Sequence, residues 1–278
     1  MALRTYRKTL IACLLLPTLG VGVAARPRDA FVRQDTSEYE VKRTYKKGEI
    51  NRYRVKFETK VNNPMLGGEA DITLLLKIKE ETRDVTPEGV VTLDVAFEEG
   101  AIKFGESEIP LPGELPQTTR TLDKDGKVLK EVKKMVEGPL SAAENLLVIA
   151  RTAFLPTKSV KIGDGWDFKI EDADNKAVKK TEGKGKLEGK GKLVAKETMK
   201  GLETLKIHWS AESILAEKVN GKDRKLRIEG DVNVEKGTGR NVLVKGKIEG
   251  DLPMGAKKAL LQMELWTPED EKKEAAKK

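Results

Sequence analysis

Hydrophobic and polar residues alternate along most of the chain from Tyr39 onward. In the segment 72–78 every second residue is isoleucine or leucine, with threonine and lysine among the residues between them. Successive side chains of a β-strand point to opposite faces, so this pattern predicts a strand with one buried face. The same alternation recurs at 53–57 and 91–97, and turn residues separate the three segments. Together they predict an antiparallel meander.

One segment breaks this period. Residues 138–155 carry Pro139 at an allowed first-turn position and Ser141 three residues before Glu144, which is the capping-box pattern of a helix start. Apolar residues cover most sides of this helix, so we expect it to be buried on most sides. Strand patterns then resume at 166–170, 186–198, 203–214, 225–235, 241–251 and 259–266. The predicted fold class is mainly β, with a long curved antiparallel sheet, either a half-barrel or two meandering β halves, packed around one buried helix.

The first 25 residues have the pattern of a secretion signal. Three basic residues precede an apolar stretch that ends in Val23-Ala24-Ala25, small residues that signal peptidase accepts. The apolar stretch is interrupted by Pro17 and Gly20 and is too short to span a membrane, so we expect cleavage after Ala25. Leu10 to Cys13 has the residue types of a lipobox, which leaves lipidation of Cys13 as an alternative.

The domain organisation follows from these patterns. Residues 1–25 are the predicted signal peptide and 26–37 a flexible lead-in. A single β-rich domain is predicted over 38–267, with β halves at 38–137 and 156–267 on either side of the helix at 138–155. The charged residues 268–278 are predicted to form a flexible tail. We expect export to the periplasm or the extracellular side of the cell envelope, with no transmembrane segment after cleavage.

Composition narrows the classes of partner. The 278-residue chain has a formal net charge of +8, and loss of the three basic leader residues lowers it to +5. Lysines alternate with acidic residues, and aromatic residues make up only 5% of the chain. Nucleic-acid binders instead cluster their cations and stack bases on aromatic rings, so we do not expect a nucleic-acid partner.

The residue types needed for catalysis are scarce. His208 is the only histidine and Cys13 the only cysteine, so the usual zinc ligand sets cannot be assembled. His208 and Ser210 share a strand face, but no motif raises a nucleophilic serine on a strained turn, and we expect His208 to face solvent. The aspartates at 123–125 and 164–167 leave calcium open, although Asp-Gly is also a strong turn signal. We therefore expect no catalytic residues, no metal and no cofactor.

One internal repeat is visible. Residues 183–188 read Gly-Lys-Gly-Lys-Leu-Glu, and 189–193 repeat the first five of these types. Because the six-residue period is even, lysines fall on one strand face and glycine and leucine on the other. The lysines could form a basic stripe that binds an anionic polymer or lipid headgroup. Alternatively, they form a solvated face that discourages the edge of the strand from pairing with another strand.

Three motifs carry a resemblance to known proteins. They are a Tyr-x-Val start before a Lys-Gly-Glu turn at 39–49, an Asp-x-x-Gly-Lys-Val hairpin at 123–128, and a Leu-Pro-x-x-x-Val-x-x-Gly-Asp-x-Trp segment at 155–166. In these the chain resembles a group of secreted bacterial β-rich proteins of uncharacterised activity. A curved sheet around a helix is also similar to the half-barrels that carry lipoproteins or lipids across the bacterial envelope. The resemblance implies no catalytic residues.

These observations favour a non-enzymatic envelope protein that binds an apolar or amphipathic, lipid-like ligand between sheet and helix. The candidate lining residues are Leu74, Leu76, Phe97, Leu147 and Phe154. The same residues would also suit an ordinary filled core. The alternative function is a structural or protein-interaction module of the envelope with no small-molecule ligand, and an enzyme is the third class.

Overall fold

The structure is a computed structural model of the 278-residue chain. It describes residues 36–63, 68–111, 115, 117–124, 126, 128–134, 155–171, 186–219, 222–250, 252, 256–267, 269–270, 272 and 276.

Twelve strands are present in these ranges. They are β1 (Ile50–Asn63), β2 (Gly68–Val85), β3 (Val91–Phe104), β4 (Ser107–Pro110), β5 (Gln117–Leu122), β6 (Val128–Lys134), β7 (Gly165–Glu171), β8 (Lys186–Met199), β9 (Leu202–Val219), β10 (Lys222–Glu235), β11 (Asn241–Gly250) and β12 (Lys258–Trp266).

All twelve strands belong to one antiparallel sheet. Its order is β6-β5-β3-β2-β1-β12-β11-β10-β9-β8-β7, and β4 pairs with β3 beside this path. The prediction of a mainly β chain built on an antiparallel sheet is confirmed. The two predicted β halves are continuous, because β1 pairs with both β2 and β12. The sheet of described strands is open, with β6 and β7 at its edges.

The predicted buried helix is not part of the described fold. Residues 135–154, which hold nearly all of the segment 138–155, lie outside the described residues. The helical positions that are described, 269–270 and 272, belong to the C-terminal segment.

One face of the sheet, called here the inner face, carries the core. On β1 and β2 the inner positions include Tyr53, Val55, Leu76 and Ile78, which are 0–4% exposed. The alternation that predicted these strands therefore gives their burial correctly. A β-bulge on β3 changes the phase, because Ile78 pairs with Phe97 whereas Lys77 pairs with Glu99. The extra residue moves the inner positions of β3 from odd to even numbers.

The segment 39–48, called here the strap, crosses one end of the inner face. Tyr39 exchanges two backbone hydrogen bonds with Val160, of 2.8 and 3.0 Å, just before β7. Farther along, the Thr44 amide donates to the carbonyl of Thr238 in the β10–β11 turn, and the Gly48 amide donates to Thr82 on β2. The strap therefore links widely separated strands across the end of the sheet where β1 begins.

Candidate ligand-binding groove

A single row of residues crosses the inner face from the edge strand β7 to β4 beside β3. Strand register places neighbours in contact in the order Trp166, Gly191, Trp209, Gly230, Gly246, Leu261, Phe57, Leu74, Ile102 and Ile109. The first five residues come from β7–β11 and the last four from β1–β4, and Leu261 of β12 lies between the two groups. The two ends of this row differ in how completely they are covered.

The β7–β11 end of the row is filled by aromatic rings that lie over glycines. A Cβ atom at Gly191 would lie 2.5 Å from Cε2 of Trp166, so the ring occupies the space that a side chain would need. Trp209 is 1% exposed and stands in register with Gly191 on one side and Gly230 on the other. The absence of side chains on these glycines allows large rings to pack directly on the backbone. The row is therefore closed around Trp209, whereas Trp166 on the edge strand β7 is partly buried.

The β1–β4 end of the row is incompletely covered. Phe57, Leu74 and Ile102 are only partly buried, and Ile109 is 54% exposed. A groove of about 550 Å³ lies here, lined by Ala70, Asp71, Phe104, Gly105 and Ile109. This volume falls within the range of about 300–1,000 Å³ that small-molecule sites occupy. The groove is therefore the candidate site, at the opposite end of the strands from the strap.

The groove has an apolar floor, and one exposed carboxylate lies beside it. Ala70 and Phe104 occupy inner-face positions, and Ile109 pairs with Ile102. Asp71 is the charged member of the lining, and its Oδ1 lies 3.6 Å from Nζ of Lys60, with both side chains more than 70% exposed. Such an arrangement can desolvate an apolar group while it leaves a polar group in water.

Three of the five predicted lining residues lie together. Leu74, Leu76 and Phe97 share the inner face of β2 and β3, where Leu76 is 3% and Phe97 is 7% exposed. Leu74 is the one adjoining the groove, because it pairs with Ile102. Leu147 and Phe154 lie outside the described residues. The role of all five in ligand binding stays a prediction.

Sequence reasoning missed the residues that line the groove itself. If the β-bulge is not taken into account, the period-two alternation on β3 stops at Phe97. Phe104 is then not recognised as an inner-face residue. Ile109 belongs to the short strand β4, which ends in Pro110 and carries no strand period of its own. Ala70 is too small to stand out in a hydrophobic pattern. A search for a phase change near Glu98-Glu99-Gly100 could have found Phe104.

A cluster of charges ties the strap to the sheet and lies away from the groove. Nη2 of Arg43 lies 3.5 Å from Glu49 and 3.4 Å from Glu80, and these three side chains are 13–20% exposed. Burial lowers the pKa of Arg43, but Glu80 and other neighbours more than offset this and raise it. Burial raises the pKa of Glu49, yet hydrogen bonding to Asn51 and the charge of Arg43 bring it below its usual value. These groups stabilise the strap and balance one another's charge.

His208 lies on the outer face, as its strand phase predicted. Its side chain is 44% exposed, and Nδ1 lies 2.9 Å from Oδ1 of Asp231. Its neighbours Ile207 and Trp209 are at most 1% exposed on the inner face. Within the part of the chain that the structure describes, no hydrogen bond joins Ser210 to His208, and no group of three or more metal-ligating side chains is assembled.

The lysine repeat divides between the two faces as expected where it is described. Leu187, Gly191 and Leu193 are buried, whereas Lys190 and Lys192 are exposed. The glycines of this repeat gain a specific role from the fold, since they accept the rings of Trp166 and Phe168.

Comparison with protein-family models, with curated proteins and with solved structures gave no match. No helix among the described residues is long and apolar enough to cross a membrane.

Proposed function

We propose that this is an exported, non-enzymatic protein of the cell envelope that binds an apolar or amphipathic ligand at the inner face of its sheet. The observation that carries the proposal is the uneven covering of one cross-strand row, which is filled by tryptophan at β7–β9 and ends in a groove of about 550 Å³ at β2–β4. Removal of apolar ligand surface from water would drive binding, by roughly 25 cal/mol per Å².

Two features of the sequence support the same proposal. The leader at 1–25 has the residue types of an export signal. The apolar residues of segment 138–155 would form a helix that needs an apolar surface on most sides, and the inner face carries the main cluster of apolar residues in the described chain. In our proposal this helix packs against the inner face and the ligand lies between the two.

A structural or protein-interaction module is the second candidate, and it rests on a different observation. The edge strand β6 exposes Leu129 and Val132 to 55% and 54%. An edge strand with exposed apolar side chains is a surface on which another chain can add a strand. This candidate needs no ligand in the groove.

Blocking the groove distinguishes the two candidates. Ala70→Trp places a ring in the groove, whereas Ala101→Trp makes the same change on the outer face of β3, where Ala101 pairs with Leu75. The measurement is titration of each purified protein with the uncharged dye N-phenyl-1-naphthylamine, together with native mass spectrometry of the protein as exported. Circular dichroism and urea unfolding check that both variants fold.

We expect saturable binding of one dye molecule by the wild type and by Ala101→Trp, and binding weakened by about tenfold or more in Ala70→Trp, because the ring fills the site. A folded wild type that binds neither dye nor a co-purified apolar molecule would exclude the ligand-binding function and favour the interaction module.

A further inference from the structure

We propose that Leu111 limits the length of the apolar chain that the groove accepts, so that its ligands are single alkyl chains up to a fixed length. This inference rests on the proposed function, since it names the ligand class of the same groove and the residue that selects it. It comes from the way in which the apolar surface beside the groove is covered.

Two rows of inner-face residues flank the β1–β4 end of the cross-strand row. On the side of the groove, Ile72 of β2 pairs with Phe104 of β3. On the side of the strap, Leu76 pairs with Gly100. Inner positions of a strand are two residues apart, so each step from one row to the next is about 7 Å along the strands. An alkyl chain that follows the strands from the groove would cross these rows in turn.

Leu111 covers the row on the side of the strap. It follows directly after β4, and its amide donates a hydrogen bond of 2.9 Å to the carbonyl of Gly100. A Cβ atom at Gly100 would lie 2.5 Å from Cδ1 of Leu111 and 3.2 Å from Cδ2 of Leu76. The side chain of Leu111 therefore fills the space above Gly100, and the neighbouring Leu76 is only 3% exposed.

The two rows nearer the groove are less completely covered. Phe104, Leu74 and Ile102 are partly buried, and Ile109 is 54% exposed. The apolar surface is therefore open from the groove as far as the cross-strand row, and it is closed one row farther on, at Leu111. A chain that enters from the groove would meet this side chain as a stop.

A stop of this kind makes affinity depend on the length of the ligand. Each methylene that leaves water in the groove should tighten binding by about fourfold. Once the tail reaches Leu111, further methylenes remain in water or have to bend back, so the gain per carbon falls towards zero. We therefore expect affinity to rise with chain length up to a limit and to stay level beyond it.

The test uses a series of ligands with the same uncharged head. Octyl, decyl, dodecyl and tetradecyl maltoside are each titrated below their micelle concentration against the full chain loaded with N-phenyl-1-naphthylamine. Displacement of the dye gives the affinity of each maltoside. The chain length at which affinity stops rising is the limit for that protein.

Two substitutions of Leu111 should move the limit in opposite directions. Leu111→Ala uncovers Gly100 and extends the open apolar surface by one row, so the limit should shift to longer chains by several carbons. Leu111→Phe adds volume where the space above Gly100 is already filled, so the limit should shift to shorter chains. Circular dichroism and urea unfolding check that each variant folds, and Leu111→Phe keeps the test decisive if Leu111→Ala does not.

The matched control is the same change on the outer face. Leu260 of β12 pairs with Glu58 and is 46% exposed, whereas its neighbours Ala259 and Leu261 are buried. Leu260→Ala therefore removes the same side chain without altering the inner face, and it should keep the wild-type limit.

The outcomes separate the two claims. A limit that is the same in wild type and in the folded Leu111 variants overturns the inference and leaves the proposed function standing. An affinity that rises through the whole series in the wild type, or a limit that shifts as far in Leu260→Ala as in Leu111→Ala, does the same. Failure of the dye and of every maltoside to bind the folded wild type overturns the proposed function and the inference with it.

Discussion

The two ends of one cross-strand row show how the same alternating pattern can give a filled core or an open groove. Near the β7 end, Trp209 on β9 is 1% exposed between glycines of the neighbouring strands, although Trp166 on β7 itself is partly buried. At the β4 end, Ile109 is 54% exposed and its neighbours are partly buried. Both ends consist of apolar residues on the inner face, so hydrophobicity alone does not separate them.

The difference lies in the neighbours. Glycines on β8 and β11 leave room for rings, since a Cβ at Gly191 would meet the ring of Trp166 and a Cβ at Gly246 would lie 3.8 Å from Cζ2 of Trp209. On β1–β3 the row instead holds Phe57, Leu74 and Ile102, so each strand contributes an apolar side chain and no glycine. A large ring over glycine closes the surface, whereas a row of phenylalanine, leucine and isoleucine leaves a groove at its end.

The largest expected effect comes from removal of the buried ring. Trp209→Ala should lower the free energy of unfolding by about 3–5 kcal/mol, because it leaves a large cavity in a closed core. Phe104→Ala, in the groove, should cost only about 1 kcal/mol, because that side chain is already partly exposed. Urea unfolding of both variants measures the difference, and equal losses would show that the groove is as closed as the core.

A smaller effect is expected from a side chain added under a ring. Gly191→Val should destabilise the fold by about 1–3 kcal/mol, because the new Cβ meets the ring of Trp166 at 2.5 Å. Gly105 lines the groove at φ +59° with no atom near its missing Cβ. Asparagine tolerates this φ, so Gly105→Asn should change the free energy of unfolding by less than about 0.5 kcal/mol. If Gly191→Val leaves the free energy of unfolding unchanged, Trp166 can move away from Gly191 without loss of stability.

The smallest effect concerns pH at the strapped end. Nζ of Lys200, in the β8–β9 turn, lies 2.8 Å from both Glu264 and Asp270. Burial raises the pKa of Asp270, but hydrogen bonds from Lys200 and Thr267 outweigh it and lower the pKa from 3.8 to about 2. A carboxyl group with a depressed pKa contributes stability above its ordinary pKa, and this contribution is lost as pH falls through the folded value.

Wild type should therefore lose up to about 1 kcal/mol between pH 4 and pH 2 through this group, and Asp270→Asn should lose less over the same range. Asp71→Asn, at a carboxylate whose side chain is 72% exposed, is the matched control for the removal of one surface charge. Thermal unfolding at several pH values measures how the stability of each variant changes with pH. Parallel profiles for wild type and Asp270→Asn would contradict the assignment.

Local pattern in the sequence was enough to predict several of the long strands and their inner faces, except beyond the bulge on β3. Period-two alternation identified the strands that became β1, β2 and β3, and it placed His208 on the solvent-facing side of its strand. The physical reason is that the direction of a side chain in a strand depends only on its own backbone phase. The shortage of histidine and cysteine likewise follows from composition alone.

Only the tertiary structure decided which strands join and where the apolar surface stays uncovered. The β1–β12 pairing unites segments about 200 residues apart, and its register puts Phe57 beside Leu261. The bulge beside Phe97 moves Phe104 to the inner face. The glycines of the lysine repeat provide the space in which the aromatic rings of β7 pack. These features depend on contacts between distant strands, so no local period in the sequence predicts the groove.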